Sequence, residues 1–159
     1  MHNIRRILVP INGNATDDEA IELACSLARR NRARVYAIYV IEVKRSLPLD
    51  AELTDEIARG EEILARAEDL AARLEYPIET ELLQARDVGP AIVDHAIDRG
   101  CDLIVLGVTY RKRWGDFYLG KTVPYVLKNA PTRVLVLREE PMARPAGAGQ
   151  QAVRASGQA

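Results

Sequence analysis

The stretch that decides the fold is residues 101–137, CDLIVLGVTYRKRWGDFYLGKTVPYVLKNAPTRVLVL. It begins with an apolar run that ends at Gly107, and it closes with a second apolar run from Val134 to Leu137. Between them lie a polar loop and a helix start at Lys121-Thr122. Continuous apolar runs of this length are typical of strands buried on both faces of a parallel sheet, and a helix usually connects such strands. The stretch therefore predicts a strand–loop–helix–strand unit of an α/β protein.

The rest of the chain repeats this alternation of apolar runs and amphipathic segments. The resulting order, β-α-β-α-β-α-β-α-β, predicts a parallel sheet with helices on both faces. The third strand alternates between apolar and polar residues more than the others do, which favours a place near the edge of the sheet. The predicted strands are 7–11, 35–43, 78–83, 103–106 and 134–137, and the predicted helices are 16–30, 51–74, 89–100 and 121–129.

Size and charge exclude several classes of protein. A chain of 159 residues is about one domain, and its formal net charge of −1 argues against a general attraction to nucleic acid or to an anionic membrane. No apolar run approaches the roughly 20 residues of a membrane span, and no signal peptide is recognisable. Cys25 and Cys101 lack a second cysteine or a histidine at metal-ligand spacing, so we expect reduced thiols in the core. We therefore expect a cytoplasmic domain that is not inserted in a membrane.

The chain divides into a folded part and a tail. From about Glu139 the sequence is rich in Pro, Ala, Gly, Gln and Arg and has almost no large apolar residue. Such a composition cannot bury enough apolar surface to offset the entropy of ordering. We expect one domain over residues 1–138 and a disordered tail over residues 139–159.

Residues Gly115 to Thr122 match the P-loop pattern GxxxxGK[ST] literally. A P-loop follows its strand directly and has small residues, so that backbone N–H groups can surround the phosphates. Here Arg111-Lys112-Arg113-Trp114 precedes the match, bulky residues fill it, and only one further strand follows. We interpret the match as a coincidence, with a P-loop nucleotide hydrolase as the minor alternative.

With the elements placed, the chain resembles the universal stress protein family over about residues 4–138. Ile7-Leu8-Val9-Pro10 and the Asn/Gly turn after it resemble the ILVPxDGS start of the family, and residues 101–107, CDLIVLG, resemble its aDLIVmG segment. Gly120, Ala130-Pro131 and the closing strand resemble the end of the family domain. The resemblance implies a Rossmann-like five-stranded parallel sheet of order 3-2-1-4-5, a role in the stress response, and ATP binding in some members.

The family's nucleotide motif, G-x2-G-x9-G-[ST], is only partly present. Its four positions fall on Gly107, Tyr110, Gly120 and Lys121, and Asn12 replaces the aspartate that usually follows the first strand. A tyrosine side chain at position 110 could fill the space that a phosphate needs, whereas Lys121 adds a positive charge at a helix N-terminus. We therefore expect an altered site that favours a mono- or diphosphate.

The resemblance places the nucleotide at the carboxyl ends of strands one and four, where the strand order reverses. The expected ligand is ATP, ADP or AMP. The residues expected to hold the base and ribose are Pro10, Ile11, Asn12 and Val40. Those expected to hold the phosphates are Gly107, Gly120, Lys121 and Thr122, and Leu106, Val108 and Val123 complete the predicted site.

Two kinds of partner follow from the same resemblance. The apolar strand from Val134 to Leu137 would have an exposed edge, and family members form homodimers there. Residues 46–50, SLPLD, and 120–125, GKTVPY, resemble universal stress modules attached to cationic amino-acid permeases. The alternative function is therefore an interaction module that binds no nucleotide, with Tyr110 and the aromatic loop plugging the pocket, and that regulates a transporter.

An enzyme receives little support from the sequence. No Ser/His/Asp or Cys/His arrangement suggests a nucleophile with its base. His95 is predicted to be a surface residue of the third helix, facing away from an apolar stripe that includes Ile92, Val93 and Ile97. Asp17-Asp18-Glu19 is interpreted as the acidic first turn of a helix rather than as a metal site.

Overall fold

The computed structural model describes residues 3–110, 112–113, 116–117 and 119–141. Residues 142–159, which make up most of the predicted tail, lie outside this part of the chain, as do Trp114 and Tyr118 of the aromatic loop. The strands are β1 (Arg6–Pro10), β2 (Arg34–Glu42), β3 (Glu79–Ala85), β4 (Leu103–Val108), β5 (Lys112–Arg113), β6 (Asp116–Phe117) and β7 (Arg133–Arg138). The helices are α1 (Asp17–Asn31), α2 (Thr54–Arg73), α3 (Val88–Asp98) and α4 (Thr122–Asn129).

The main sheet has five parallel strands in the order β3-β2-β1-β4-β7. Because β7 is the fifth strand of this sheet, the predicted order 3-2-1-4-5 is confirmed. At its centre, Ile7 of β1 pairs with Val35 of β2 on one side and with Leu103 of β4 on the other. The chain therefore moves outward in one direction from β1 through β2 and β3, and in the opposite direction through β4 and β7. This reversal opens a crevice at the carboxyl ends of β1 and β4.

Helices cover both faces of the sheet, because successive side chains of each strand point to opposite faces. On β1, Ile7 and Val9 belong to the core under α1 and α2, whereas Leu8 belongs to the core under α3 and α4. All three are fully buried. Among the described residues, no helix is both long enough and apolar enough to cross a bilayer.

The third strand is an edge strand, as its alternating pattern indicated. The pairing of β5 with β6 in a two-residue antiparallel hairpin was not predicted. Each of these strands is too short to give a periodic apolar signal. Asp116 and Phe117 lie inside the literal P-loop match yet belong to β6, so this part of the match is a strand rather than a loop around phosphates.

Helix α2 continues without a break through Gly60, although glycine has a low helix propensity. A β-carbon on Gly60 would stand 2.7 Å from side-chain atoms of both Tyr39 and Leu82. The glycine therefore allows the middle of α2 to lie directly on β2 and β3. Glycine has a lower helix propensity than most other residues, but at this position a larger residue would push the helix away from the sheet.

The prediction for His95 was wrong. Its residue is only 9% exposed, whereas Ile97, predicted to lie in the buried stripe, is 55% exposed. The buried face of α3 runs through Ile92, His95 and Ala96, which are spaced by three and four residues and therefore share one side of a helix. Ile92 and Val93 are buried as predicted, so the error lies in assigning Ile97 rather than His95 to the buried face.

Both cysteines are buried and carry free thiols, as predicted. Burial raises the pKa of the Cys101 thiol to about 11, and it also raises the pKa of Cys25. A thiol with a raised pKa is a poor nucleophile near neutral pH. These residues therefore contribute to packing.

Candidate functional site

A cavity of about 280 Å³ lies at the carboxyl ends of β1, β2 and β4 and is bounded by the start of α4. It lies in the crevice that the reversal of strand order creates. All of the site residues predicted from the sequence line it, namely Pro10, Ile11, Asn12, Val40, Leu106, Gly107, Val108, Gly120, Lys121, Thr122 and Val123. The sequence did not indicate the remaining lining residues, which are Asn14, Ile38, Val88, Ile92, Thr109 and Leu119.

One wall of the cavity is apolar. Ile38 and Val40 reach it from β2, Val88 and Ile92 from α3, and Leu106 from β4. Ile38 and Ile92 are fully buried, so they hold this wall in a fixed position. The volume is near the lower end of the range for small-molecule sites, which is roughly 300–1,000 Å³. An apolar wall of this size suits a flat ring such as a nucleic-acid base.

The loop between β1 and α1 forms the polar side of the cavity. The carboxylate of Asp17 accepts hydrogen bonds from the backbone N–H groups of Gly13, at 2.7 Å, and Asn12, at 3.3 Å. The side-chain oxygen of Asn12 accepts a hydrogen bond from the backbone N–H of Asn14 at 3.0 Å. The backbone of this loop is therefore held by its own side chains. In the described part of the chain, the side-chain nitrogens of Asn12 and Asn14 make no hydrogen bond and remain for a ligand.

Asp17 has a raised pKa, mainly because the carboxyl group is desolvated by burial. The hydrogen bonds from Gly13 and Asn12 act in the opposite direction, since they stabilise the carboxylate. The neighbouring Asp18 forms an ion pair with Arg66 at 2.8 Å. In the described part of the chain, Asp17 thus fixes the backbone of the loop, and Asp18 binds a surface arginine.

The start of α4 forms the second polar part of the cavity. Gly120 has a φ of 76°, which only glycine adopts easily, and it turns the chain into the helix. Lys121 occupies the N-cap position, and Thr122 is the first residue of the helix. The unpaired N–H groups and the dipole at a helix N-terminus favour an anion, and the ammonium group of Lys121 adds a full positive charge.

Lys121 forms an ion pair that the sequence did not reveal. Its Nζ atom lies 3.4 Å from Oε1 of Glu42, the last residue of β2. The side chain of Lys121 is 75% exposed and that of Glu42 is 46% exposed. The pair therefore lies at the rim of the cavity, in contact with solvent, and joins the end of β2 to the start of α4.

Tyr110 does not occupy the position that its alignment with a motif glycine suggested. Its backbone N–H donates a hydrogen bond to Oε1 of Glu139 at 2.8 Å, and the guanidinium carbon of Arg138 lies 5.1 Å from the centre of its ring. Within the part of the chain that the structure describes, Tyr110 is absent from the lining of the cavity. The proposed plug, as far as it depends on Tyr110, is therefore not formed.

The fold and the cavity define a class of protein, an open parallel α/β domain with a ligand-sized crevice at its topological switch point. The sequence model described as the Universal stress protein family matches residues 3–138. A universal stress protein of Methanocaldococcus jannaschii is 33% identical over 141 residues, covering 85% of this chain and 82% of the relative. The chain belongs to the universal stress protein family.

Solved structures of the family share the fold at low sequence identity. A universal stress protein from Archaeoglobus fulgidus in complex with dAMP superposes with a TM-score of 0.66 at 20% identity, covering 85% of this chain and 98% of the other. A universal stress protein in complex with cAMP gives a TM-score of 0.64 at 18% identity, covering 86% and 98% of the two chains. At such identities the likeness concerns the fold alone.

Proposed function

We propose that this protein is a regulatory module of the stress response that binds an adenine nucleotide and does not transform it. The observation that carries the proposal is the cavity itself, in which an apolar wall faces the N-terminus of α4 and the ammonium group of Lys121. The base would pack against the apolar wall beside Ile38, Val40 and Ile92. The phosphate would contact Lys121 and the first N–H groups of α4.

Two further facts support an adenine nucleotide as the ligand. The related structures mentioned above are complexes with dAMP and cAMP, both of which carry an adenine base and a single phosphate group. The small volume of the cavity also agrees better with a nucleoside monophosphate than with a longer ligand. AMP-type nucleotides are therefore the first ligands to test, with ADP and ATP beside them.

The proposed absence of catalysis rests on the chemistry of the cavity wall. Among the described residues that line the cavity, none is an aspartate, glutamate, histidine or cysteine. Its polar side chains are two asparagines, two threonines and Lys121, which can bind and orient a nucleotide. No carboxylate or imidazole, the usual general bases, is among these described lining residues. We also propose the cytoplasm as the location of the protein. Both cysteines are buried and carry free thiols, which agrees with a reducing compartment.

The deciding experiment is to denature freshly purified protein, identify any released nucleotide by mass spectrometry, and titrate emptied protein with AMP, ADP and ATP by calorimetry. Stoichiometric release of nucleotide, or dissociation constants in the micromolar range, is the expected result. Protein that carries no nucleotide and responds to none of the three would contradict the proposal. Release of inorganic phosphate from ATP, abolished by Lys121→Ala, would contradict the proposed absence of catalysis.

The free edge of β7 supports a homodimer as the working form of the module. Leu135 and Val136 of this strand are 41% and 39% exposed, and Tyr125 and Leu127 of the adjacent α4 are also exposed. Strand β7 pairs with β4 on one side, and its other side is an edge of the sheet. An apolar edge strand of this kind favours pairing with a second strand.

A second candidate function is regulation of an amino-acid transporter through the loop that follows β2. Leu47 and Leu49 are exposed on this loop, and Nε2 of Gln84 holds the loop by donating hydrogen bonds to the carbonyl groups of Leu49 and Ala51 at 3.0 and 3.1 Å. Two exposed leucines on a fixed loop can contact a protein partner. Photo-crosslinking from position 49 in cells that produce a cationic amino-acid permease should capture the permease. The additional substitution Leu47→Asp should abolish this capture.

A further inference from the structure

Glu42 lies on the same face of β2 as two of the apolar residues that line the cavity. Side chains at alternate positions of a strand point to the same face, so Ile38, Val40 and Glu42 form one row. The first two line the cavity, and the carboxylate of Glu42 lies at the rim, 3.4 Å from Nζ of Lys121. The row on β2 therefore ends in a carboxylate at the rim of the cavity. This carboxylate places a negative charge beside the expected phosphate position.

The contact between Glu42 and Lys121 limits the charge that a ligand can bring. A phosphate oxygen that binds Nζ at hydrogen-bond distance would lie within about 6 Å of Oε1 of Glu42. In the described part of the chain, Lys121 is the residue that forms an ion pair with Glu42, so a phosphate must share this cation with the carboxylate. Each additional negative charge near the rim is attracted by Lys121 and repelled by Glu42, so the pair attracts it less than Lys121 alone would.

We propose that Glu42 determines the charge preference of this site, selecting a nucleoside monophosphate over the di- and triphosphate. This inference rests on the proposed function, and it names Glu42 as the residue that restricts the ligand. Lys121 provides the attraction for one phosphate group. Glu42 provides the repulsion against further phosphates, since specificity can be achieved by an unfavourable contact with the wrong ligand.

The test is calorimetric titration of emptied wild-type protein and the variant Glu42→Gln with adenosine, AMP, ADP and ATP, in buffer without divalent metal. The uncharged glutamine retains the size of the side chain. At a separation near 6 Å in water, removal of one charge changes binding of a unit charge by about threefold. Because the phosphate of AMP carries close to two negative charges at neutral pH, we expect Glu42→Gln to leave the affinity for adenosine unchanged, to raise that for AMP by up to about tenfold, and to raise that for ATP further.

A matched control is Glu22→Gln, which makes the same change of net charge at an exposed position of α1 away from the cavity. This control should leave all four affinities unchanged. In about 1 M salt, where screening acts within roughly 3 Å, the difference between wild type and Glu42→Gln should largely disappear. Loss of the difference in salt would identify the effect as electrostatic.

The outcomes separate this inference from the proposed function. If nucleotides bind and Glu42→Gln changes no affinity, or raises the affinity for adenosine as much as that for ATP, the role assigned to Glu42 is wrong and nucleotide binding stands. If wild type prefers ATP to AMP by tenfold or more, the inference is also wrong. If none of the four ligands binds to either protein, the proposed function is wrong and the inference is wrong with it.

Discussion

The hydroxyl oxygen of Thr16 lies 2.9 Å from the point at which a β-carbon on Gly107 would stand. Thr16 is fully buried, and its hydroxyl donates a hydrogen bond to Oδ1 of Asn14 at 2.5 Å. The residue before α1 therefore packs directly against the backbone near the end of β4. Two of the segments that border the cavity, the loop that contains Asn14 and the end of β4, are joined by this contact. Glycine is required at position 107 for packing, whether or not a phosphate binds there.

The first prediction concerns this contact. Gly107→Ala should lower the free energy of unfolding by about 1–3 kcal/mol, because the added methyl group overlaps Thr16 and the surrounding structure must shift. Urea denaturation followed by circular dichroism measures the change. In the double variant with Thr16→Ala, the loss should be smaller than the sum of the single losses by at least about 0.5 kcal/mol. Additive losses would show that the two residues do not interact.

The second prediction concerns Lys121. Its replacement by alanine should weaken AMP binding about tenfold, because a charge-assisted contact with the phosphate is lost, and it should leave adenosine binding unchanged. Lys128→Ala, in the last turn of the same helix, removes an equal charge at a position outside the cavity lining and serves as the control. Equal effects of the two substitutions would indicate a general influence of net charge rather than a phosphate contact.

The third prediction concerns pH. Burial lowers the pKa of His95, while Glu81, whose Oε2 lies 3.3 Å from Nε2 of His95, raises it and Arg99 lowers it. The contact with Glu81 does not have hydrogen-bond geometry, so Nε2 is a buried atom without a hydrogen-bond partner in the described part of the chain. Burial is accordingly the larger effect, and the folded protein favours neutral His95.

A histidine whose pKa is lower in the folded state than its ordinary value of about 6.5 takes up its proton more readily in the unfolded chain. Its contribution to stability is therefore complete above pH 6.5 and is lost as the pH falls below that value, by at most about 1.4 kcal/mol per pH unit. Urea denaturation between pH 7.5 and 5.5 should show a smaller loss of stability for His95→Gln than for wild type. Parallel curves for the two proteins would exclude this role of His95.

The fourth prediction concerns the exposed edge of β7. Wild-type protein at micromolar concentration should have the mass of a dimer in light scattering, and Val136→Lys should have the mass of a monomer, since a charged side chain on an edge strand opposes pairing. Glu140→Lys, just beyond the strand, is a suitable control for the introduced charge. A monomeric wild type would contradict the proposed dimer.

Much of the fold could be predicted because it depends on local patterns and general rules of topology. Apolar runs such as the one ending at Gly107 mark strands, and the alternation of strands and helices leaves few arrangements for a parallel sheet. Since ligands bind where the strand order reverses, Asn12, which follows β1, and Lys121, which precedes α4, could be expected in one cavity. The structure brings them together there.

The rest depends on contacts between residues distant in sequence. Glu42 is the charged last residue of an otherwise largely apolar strand, a pattern typical of a solvent-exposed residue, and its contact with Lys121 joins positions 79 residues apart. Tyr110 could be aligned with a glycine of the motif, but alignment does not fix a side-chain direction, and its ring faces Arg138. His95 was misplaced because a histidine beside an apolar stripe is usually exposed, and its burial depends on the packing of α3 against the sheet.

The ion pair at the rim also has a consequence for the rates of ligand exchange. Glu42 and Lys121 contact each other only through exposed side chains, which change rotamer within picoseconds to nanoseconds. Separating them requires no movement of β2 or α4, so this contact adds no slow step before a nucleotide enters. We expect the association rate to be set by diffusion and by the charge of the ligand. Differences in affinity between nucleotides should then arise mainly from their dissociation rates.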